Sequence, residues 1–258
     1  MRRQKGFKHV RHHDSILAPA EKRLLVWIAR RLPTWINADH LSLLGVLAML
    51  GVGLSFCAAS WDRRALFLVV AGLVLNWFGD SLDGTLARVR NQQRPRYGYY
   101  VDHVLDLAGT LFLLGGLAAS EFMSTAVGLG LLIAYLLVSA EIYLATHVLG
   151  VFRLSFLKVG PTELRLLLAT GTVFLFYKPV VALGELGTFN LFDVGGLAGI
   201  LGLALTFTVS ALRHARRLYR AEPRPRLQRP LPISLPRFPS TGFGPMGSAL
   251  TGSHRHRN

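Results

Sequence analysis

Apolar residues are gathered into long runs along this chain, separated by short polar segments that carry most of the charge. Runs of about 20 such residues are long enough to cross a bilayer as helices, and six are predicted: 41–60, 65–88, 98–119, 122–148, 164–186 and 190–212. The expected fold is therefore all-α and polytopic, with a six-helix transmembrane domain over residues 41–212. Ahead of it lies a segment, 1–40, whose residues 15–32, "SILAPAEKRLLVWIARRL", mix apolar and basic residues at helical spacing. That pattern suits an amphipathic helix lying in the membrane interface, and equally one packed against the bundle. Residues 213–258 form a basic tail, and from 222 onward they hold 7 of the 12 prolines. Disorder is expected there, because little apolar surface is available to offset the entropy of ordering.

Composition agrees with this reading: 51% of residues are hydrophobic and 17% charged, and the mean hydropathy is +0.39. The net charge of +15 would fit a nucleic-acid partner if the basic residues were spread over one soluble surface. They are not. With an inside N-terminus and six crossings, all the Lys and Arg except Arg63, Arg64 and Lys178 fall on one side. The positive-inside rule then puts both termini and the end of the second span in the cytoplasm. Anionic headgroups account for such segments without nucleic acid. The opening "MRRQKGFKHVRHHD" has no apolar stretch with a small-residue cleavage site, so no cleaved signal peptide is expected. Cys57 is the single cysteine, which excludes an intramolecular disulfide and any cysteine-based metal spacing.

The chemistry sits where the second span ends, in "GDSLDGTLARVR". At 100° per residue, Asp80, Asp83, Gly84 and Ala87 share one helix face, with Arg88 beside it. The third span opens with "RYGYYVDHVLDLAGT", where Gly98, Asp102 and Asp106 recur at i, i+4 and i+8 on a second face. A carboxylate at the centre of a spanning helix costs roughly 2.5–3.5 kcal/mol, less toward the interface, and four brought together also repel one another. Arg88 and Arg90 cannot neutralise all four, whereas two divalent cations can, and oxygen-only surroundings suit Mg2+ or Mn2+. Gly84, Ala87 and Gly98 keep the space beside the acids clear for a ligand or a neighbouring backbone. His103 lies about 100° away from Asp102 on the helix and is expected beside the site rather than in it.

The pattern Asp80-x2-Asp83-Gly84-x2-Ala87-Arg88, followed by Gly98-x3-Asp102-x3-Asp106, resembles the signature of the CDP-alcohol phosphotransferases. It departs from the family in one respect: residues 89–97 make nine between Arg88 and Gly98, where seven or eight are usual. The extra residue falls in the predicted loop. Residues 36–45, "INADHLSLLG", are similar to a family segment before the first span, but Ala38 and Asp39 depart from its Pro-Asn.

The resemblance implies transfer of a substituted phosphate from a CDP-alcohol, CDP-diacylglycerol or a CDP-aminoalcohol, to an acceptor hydroxyl with release of CMP, in phospholipid biosynthesis. It implies a metal site of Asp80, Asp83, Asp102 and Asp106, with Asp106 also the general base. It assigns Gly84, Ala87, Arg88 and Gly98 to the nucleotide, and a homodimer in the bilayer is the assembly it suggests. Arg153, Lys158 and Arg165 are candidates for binding an acceptor phosphate, or are ordinary positive-inside charges. Two other readings account for acids in a membrane bundle. An intramembrane Mg2+-dependent prenyltransferase normally has two acidic motifs far apart in sequence, and no second one follows residue 106. A cation transporter leaves Gly84, Ala87, Arg88 and Gly98 unexplained and favours acids at the midplane rather than near one face.

Overall fold

The computed structural model describes residues 18–149, 161–182, 184 and 187–222. The chain forms α1 (Ala18–Ala29), α2 (Ala38–Ala59), α3 (Ala65–Val89), α4 (Pro95–Ala118), α5 (Thr125–Leu149), α6 (Pro161–Tyr177), a two-stranded antiparallel hairpin of β1 (Val180–Ala182) and β2 (Thr188–Asn190), and α7 (Leu191–Ala221). Among the described residues, α2, α3, α4, α5 and α7 are long and apolar enough to cross a membrane. Their outer faces expose large apolar residues such as Leu47, Leu54, Phe67, Leu68, Ile133 and Leu201, as lipid-facing helices do.

Two of the expected spans change. The segment 164–186 was expected to run as one helix, but α6 stops at Tyr177 after 17 residues. Pro179 has no backbone N–H and disfavours helical geometry at Lys178, so the apolar "VVA" that follows becomes a strand instead. Gly184 and Gly187, both at positive φ, lie between the two strands. At the other end, α7 continues to Ala221, nine residues beyond the expected end of the last span at 212. Residues 223–258, the remainder of the basic tail, lie outside the described residues.

α2 is the central element, packed against both α3 and α4, while α5 bridges α4 and α7 and α6 lies on α3. Its start is fixed by Asn37, whose side chain accepts from the His40 N–H at 3.0 Å while the Asn37 N–H reaches His40 Nδ1 at 3.4 Å. Glycines set how closely the helices approach. A Cβ added at Gly79 would lie 2.5 Å from the Leu41 carbonyl oxygen and 2.8 Å from the Gly45 nitrogen, so α3 meets the backbone of α2 directly there. Gly53 and Gly116 face each other across α2 and α4 in the same way. In lipid, where apolar surface has no hydrophobic reason to bury itself, such backbone proximity is a main source of helix association. Asn76 adds a buried interhelical bond, donating to the Gly45 carbonyl at 3.0 Å.

α1 packs on the bundle along one face, while Leu24 and Trp27 stay exposed on it. Leu25 and Ala29 are buried against Leu41, Leu82 and Leu86. Glu21 accepts from Trp77 Nε1 at 2.8 Å and from Ser81 Oγ at 3.3 Å, joining α1 to the polar end of α3. A second apolar cluster, including Val52, Phe56, Leu66, Val69, Leu117, Leu175 and Phe192, closes the opposite end of the bundle.

Gly79→Val should force α3 away from α2 and lower stability by about 2–3 kcal/mol or more, read as a fall in Tm in detergent. Gly115→Val, where an added Cβ meets nothing within 4 Å, should leave Tm close to that of the unmodified chain.

Candidate active site

The end of α3 and the start of α4 meet at one end of the bundle and bring the acids together. Asp80, Asp102 and Asp106 each offer a carboxylate oxygen within 4.8 Å of the others. Asp83 is outside that trio, although Asp80, Asp102 and Asp106 are all its electrostatic neighbours. Its carboxylate is already engaged, accepting from Ser42 Oγ of α2 at 2.5 Å and from the backbone N–H of Gly84. Asp80 and Asp102 are half-buried, while Asp106, flanked by the other acids, is exposed.

A fifth charge enters from α6. Arg165 Nη2 donates to Asp80 Oδ2 at 2.5 Å across 85 residues of sequence, with side chains 18% and 25% exposed. Of the three candidates for an acceptor phosphate, Arg165 is thus placed among the acids; Arg153 and Lys158 lie outside the described residues. Four carboxylates drawn this close in a low-dielectric setting repel one another, and Arg165 offsets part of that charge at Asp80. Oxygen-only donors converging within a few ångströms are the chemistry of a hard divalent cation, and the residues fit one.

The nucleotide candidates lie on the same two helices as the acids, α3 and α4. Gly84 faces Arg88, whose Nη1 would lie 3.4 Å from an added Cβ, and Arg88 Nη2 donates to Thr85 Oγ1 at 3.0 Å. Arg88 is exposed at the end of α3, and Gly98 at the start of α4 has open space where a side chain would project. Ala87 is half-buried on α3, one turn from Asp83. His103 is buried beside the cluster, donating from Nδ1 to the Tyr99 carbonyl at 2.7 Å, with its ring against that of Tyr99 and edge-on to Tyr143, and with 3.7 Å to Asp102.

Arg90 points away from the acids. Its guanidinium donates to the carbonyls of Ile36, Leu32 and Pro33 at 2.5, 2.9 and 2.9 Å, capping the chain between α1 and α2. Arg94 donates to both oxygens of Asp39 at 2.6 Å, and the Asp39 carboxylate holds this guanidinium above its ordinary pKa. The loop between α3 and α4 is thus tied at both ends to the segment before and at the start of α2. Asn91, between these ties, takes a left-handed conformation at φ 56.

Ser42 is the site residue that sequence spacing does not reveal. It sits 41 residues before its partner, within the "INADHLSLLG" segment, where no helical spacing links it to Asp83.

The family model of the CDP-alcohol phosphatidyltransferases matches residues 35–209, and the chain belongs to that family. It is accordingly a membrane transferase of phospholipid biosynthesis that moves a substituted phosphate from a CDP-alcohol to an acceptor hydroxyl. This decides against the prenyltransferase and transporter readings. The fold is similar to that of a Mycobacterium tuberculosis phosphatidylinositol phosphate synthase solved with CDP-DAG bound: 18% identity, a TM-score of 0.53, and coverage of 76% of this chain and 94% of the other.

Ser42→Ala removes a bond that orients Asp83 and should lower activity or apparent metal affinity about 10–100-fold. Titration of CMP release against Mg2+ would show it, and unchanged kinetics would mean that Asp83 needs no such support.

Proposed function

We propose that Asp80, Asp83, Asp102 and Asp106 hold two divalent cations, Mg2+ or Mn2+, and that Asp106 is also the general base of the transfer. The observation that carries this reading is the convergence of three carboxylates within 4.8 Å, with Asp83 alongside, where two helices meet. The cations, when bound, neutralise the diphosphate and stabilise charge on the departing CMP. The residues do the rest. Gly84, Ala87 and Gly98 leave room for the nucleotide, and the exposed Arg88 offers its guanidinium to a phosphate or the pyrimidine. Asp106 takes the proton of the acceptor hydroxyl as its oxygen attacks phosphorus and the bond to CMP breaks. Arg165, already held among the acids, is the described candidate to receive an acceptor phosphate such as that of glycerol phosphate or inositol phosphate.

The contacts at the two ends of the bundle support six crossings. Arg165, near the start of α6, reaches Asp80 at the site end. Beyond α6, Asn190 donates to the Glu121 carbonyl and Asp193 accepts from Ser124, at the opposite end. At 1.5 Å per residue α6 spans about 25 Å, close to the hydrocarbon thickness of a bilayer. Both termini and the site then share the cytoplasmic face, which in a bacterial cell is that of the inner membrane. A homodimer is the proposed assembly.

The decisive assay offers the purified chain labelled CDP-diacylglycerol, CDP-choline and CDP-ethanolamine with a panel of acceptor alcohols, and follows CMP. Chelation of divalent ions should abolish release, and Mg2+ or Mn2+ should restore it. Asp106→Asn should lower turnover by at least about 100-fold while nucleotide binding is retained; an active variant refutes the base assignment. Substituting Asp83 by Asn should weaken turnover and shift the divalent-ion dependence together, and an unshifted dependence counts against the paired-metal site.

A further inference from the structure

The far end of α7 takes no part in the carboxylate site. Past Leu212 the helix carries Arg213, Arg216, Arg217 and Arg220, at i, i+3, i+4 and i+7, so that all four fall on one face and line a single shallow basin. All four are exposed, and none forms a salt bridge among the described residues. The sequence supplies no neighbouring acid except Glu222: from residue 194 to the C-terminus it is the sole carboxylate side chain against ten arginines. Like charges one turn apart repel, so the arrangement calls for an external anion.

Other contacts fix where the stripe sits. Glu141 of α5 accepts from Ser210 Oγ at 2.8 Å and from His214 Nδ1 at 2.6 Å, locking α7 to the bundle on either side of Arg213. The helices alternate in direction, so the end of α7 emerges on the same side as the end of α3, the start of α4 and Arg165. Leu197, Leu201, Leu205 and Leu212 are exposed along the apolar part of α7, and Leu212, Arg216 and Arg220 follow one another at four-residue steps. The stripe covers about 10 Å of helix directly beyond that apolar face.

We propose that this stripe binds the phosphate groups of anionic lipid headgroups on the membrane face that holds the carboxylate site. Guanidinium groups pair with phosphate through two parallel N–H bonds, and the exposed leucines just before them accept the acyl chains of the same lipid. A soluble phosphate would use the arginines alone. The surface does not depend on which CDP-alcohol is the substrate.

The test is native mass spectrometry of the full chain in detergent, titrated with phosphatidylglycerol or phosphatidylcholine. The unmodified chain should bind phosphatidylglycerol more tightly, and a variant with R213Q, R216Q, R217Q and R220Q should weaken the tightest of these binding steps at least about fivefold, the equivalent of one arginine's attraction to an anionic surface. Replacing the same four by Lys should retain most of the preference. Circular dichroism checks that the helices persist; if the quadruple variant unfolds, R216Q with R217Q takes its place. CMP release, followed in parallel, reports on the carboxylate site separately. An unchanged preference in the Gln variant overturns the proposal, and so does displacement of the lipid by equimolar inorganic phosphate, which would make the occupant a soluble anion.

Discussion

The backbone contact between α2 and α3 at Gly45 and Gly79 is the constraint from which the rest of the site follows. With no side chain at Gly79, the α3 backbone lies against the Leu41 carbonyl and Gly45, and the next residue is Asp80. The same proximity brings Ser42 within bonding distance of Asp83 and lets Asn76 reach the Gly45 carbonyl. A single extra methyl group would move α3 relative to α2, and with it one half of the carboxylate cluster relative to its support. Packing and chemistry are therefore not separable at this end of the bundle.

Electrostatics complete what packing begins. Four carboxylates drawn together oppose folding unless cations are near, and the helices supply one directly in Arg165. The other two arginines at the end of α3 divide their roles by direction. Arg88 stays beside the opening, whereas Arg90 turns to the chain between α1 and α2 and satisfies three carbonyls there. Glu21, reaching Trp77 and Ser81, makes α1 a brace on the outer side of the helix that carries Asp80 and Asp83.

Much of this was legible in the sequence because it is periodic. Apolar runs give the long helices, and spacings of three and four place Asp80 with Asp83 and Asp102 with Asp106 on their faces. What periodicity cannot carry is contact between elements. Ser42 with Asp83 and Arg165 with Asp80 are separated by 41 and 85 residues, distances that no helical spacing bridges. The end of α6 was misplaced for a related reason: hydropathy stays high through "VVAL", but Lys178-Pro179 ends the helix on backbone grounds that a hydropathy window does not register. The helical extension of α7 escaped because its arginines lower the hydropathy while the helix persists.

The loop between α3 and α4 has a consequence for protein engineering. Arg90 and Arg94 moor its two ends to Leu32, Pro33, Ile36 and Asp39, so the residues between them are mechanically isolated from the acids on either side. A change in the length of this loop need not disturb the register of the two helices. For the same reason it is a natural place to graft an epitope or a fluorophore.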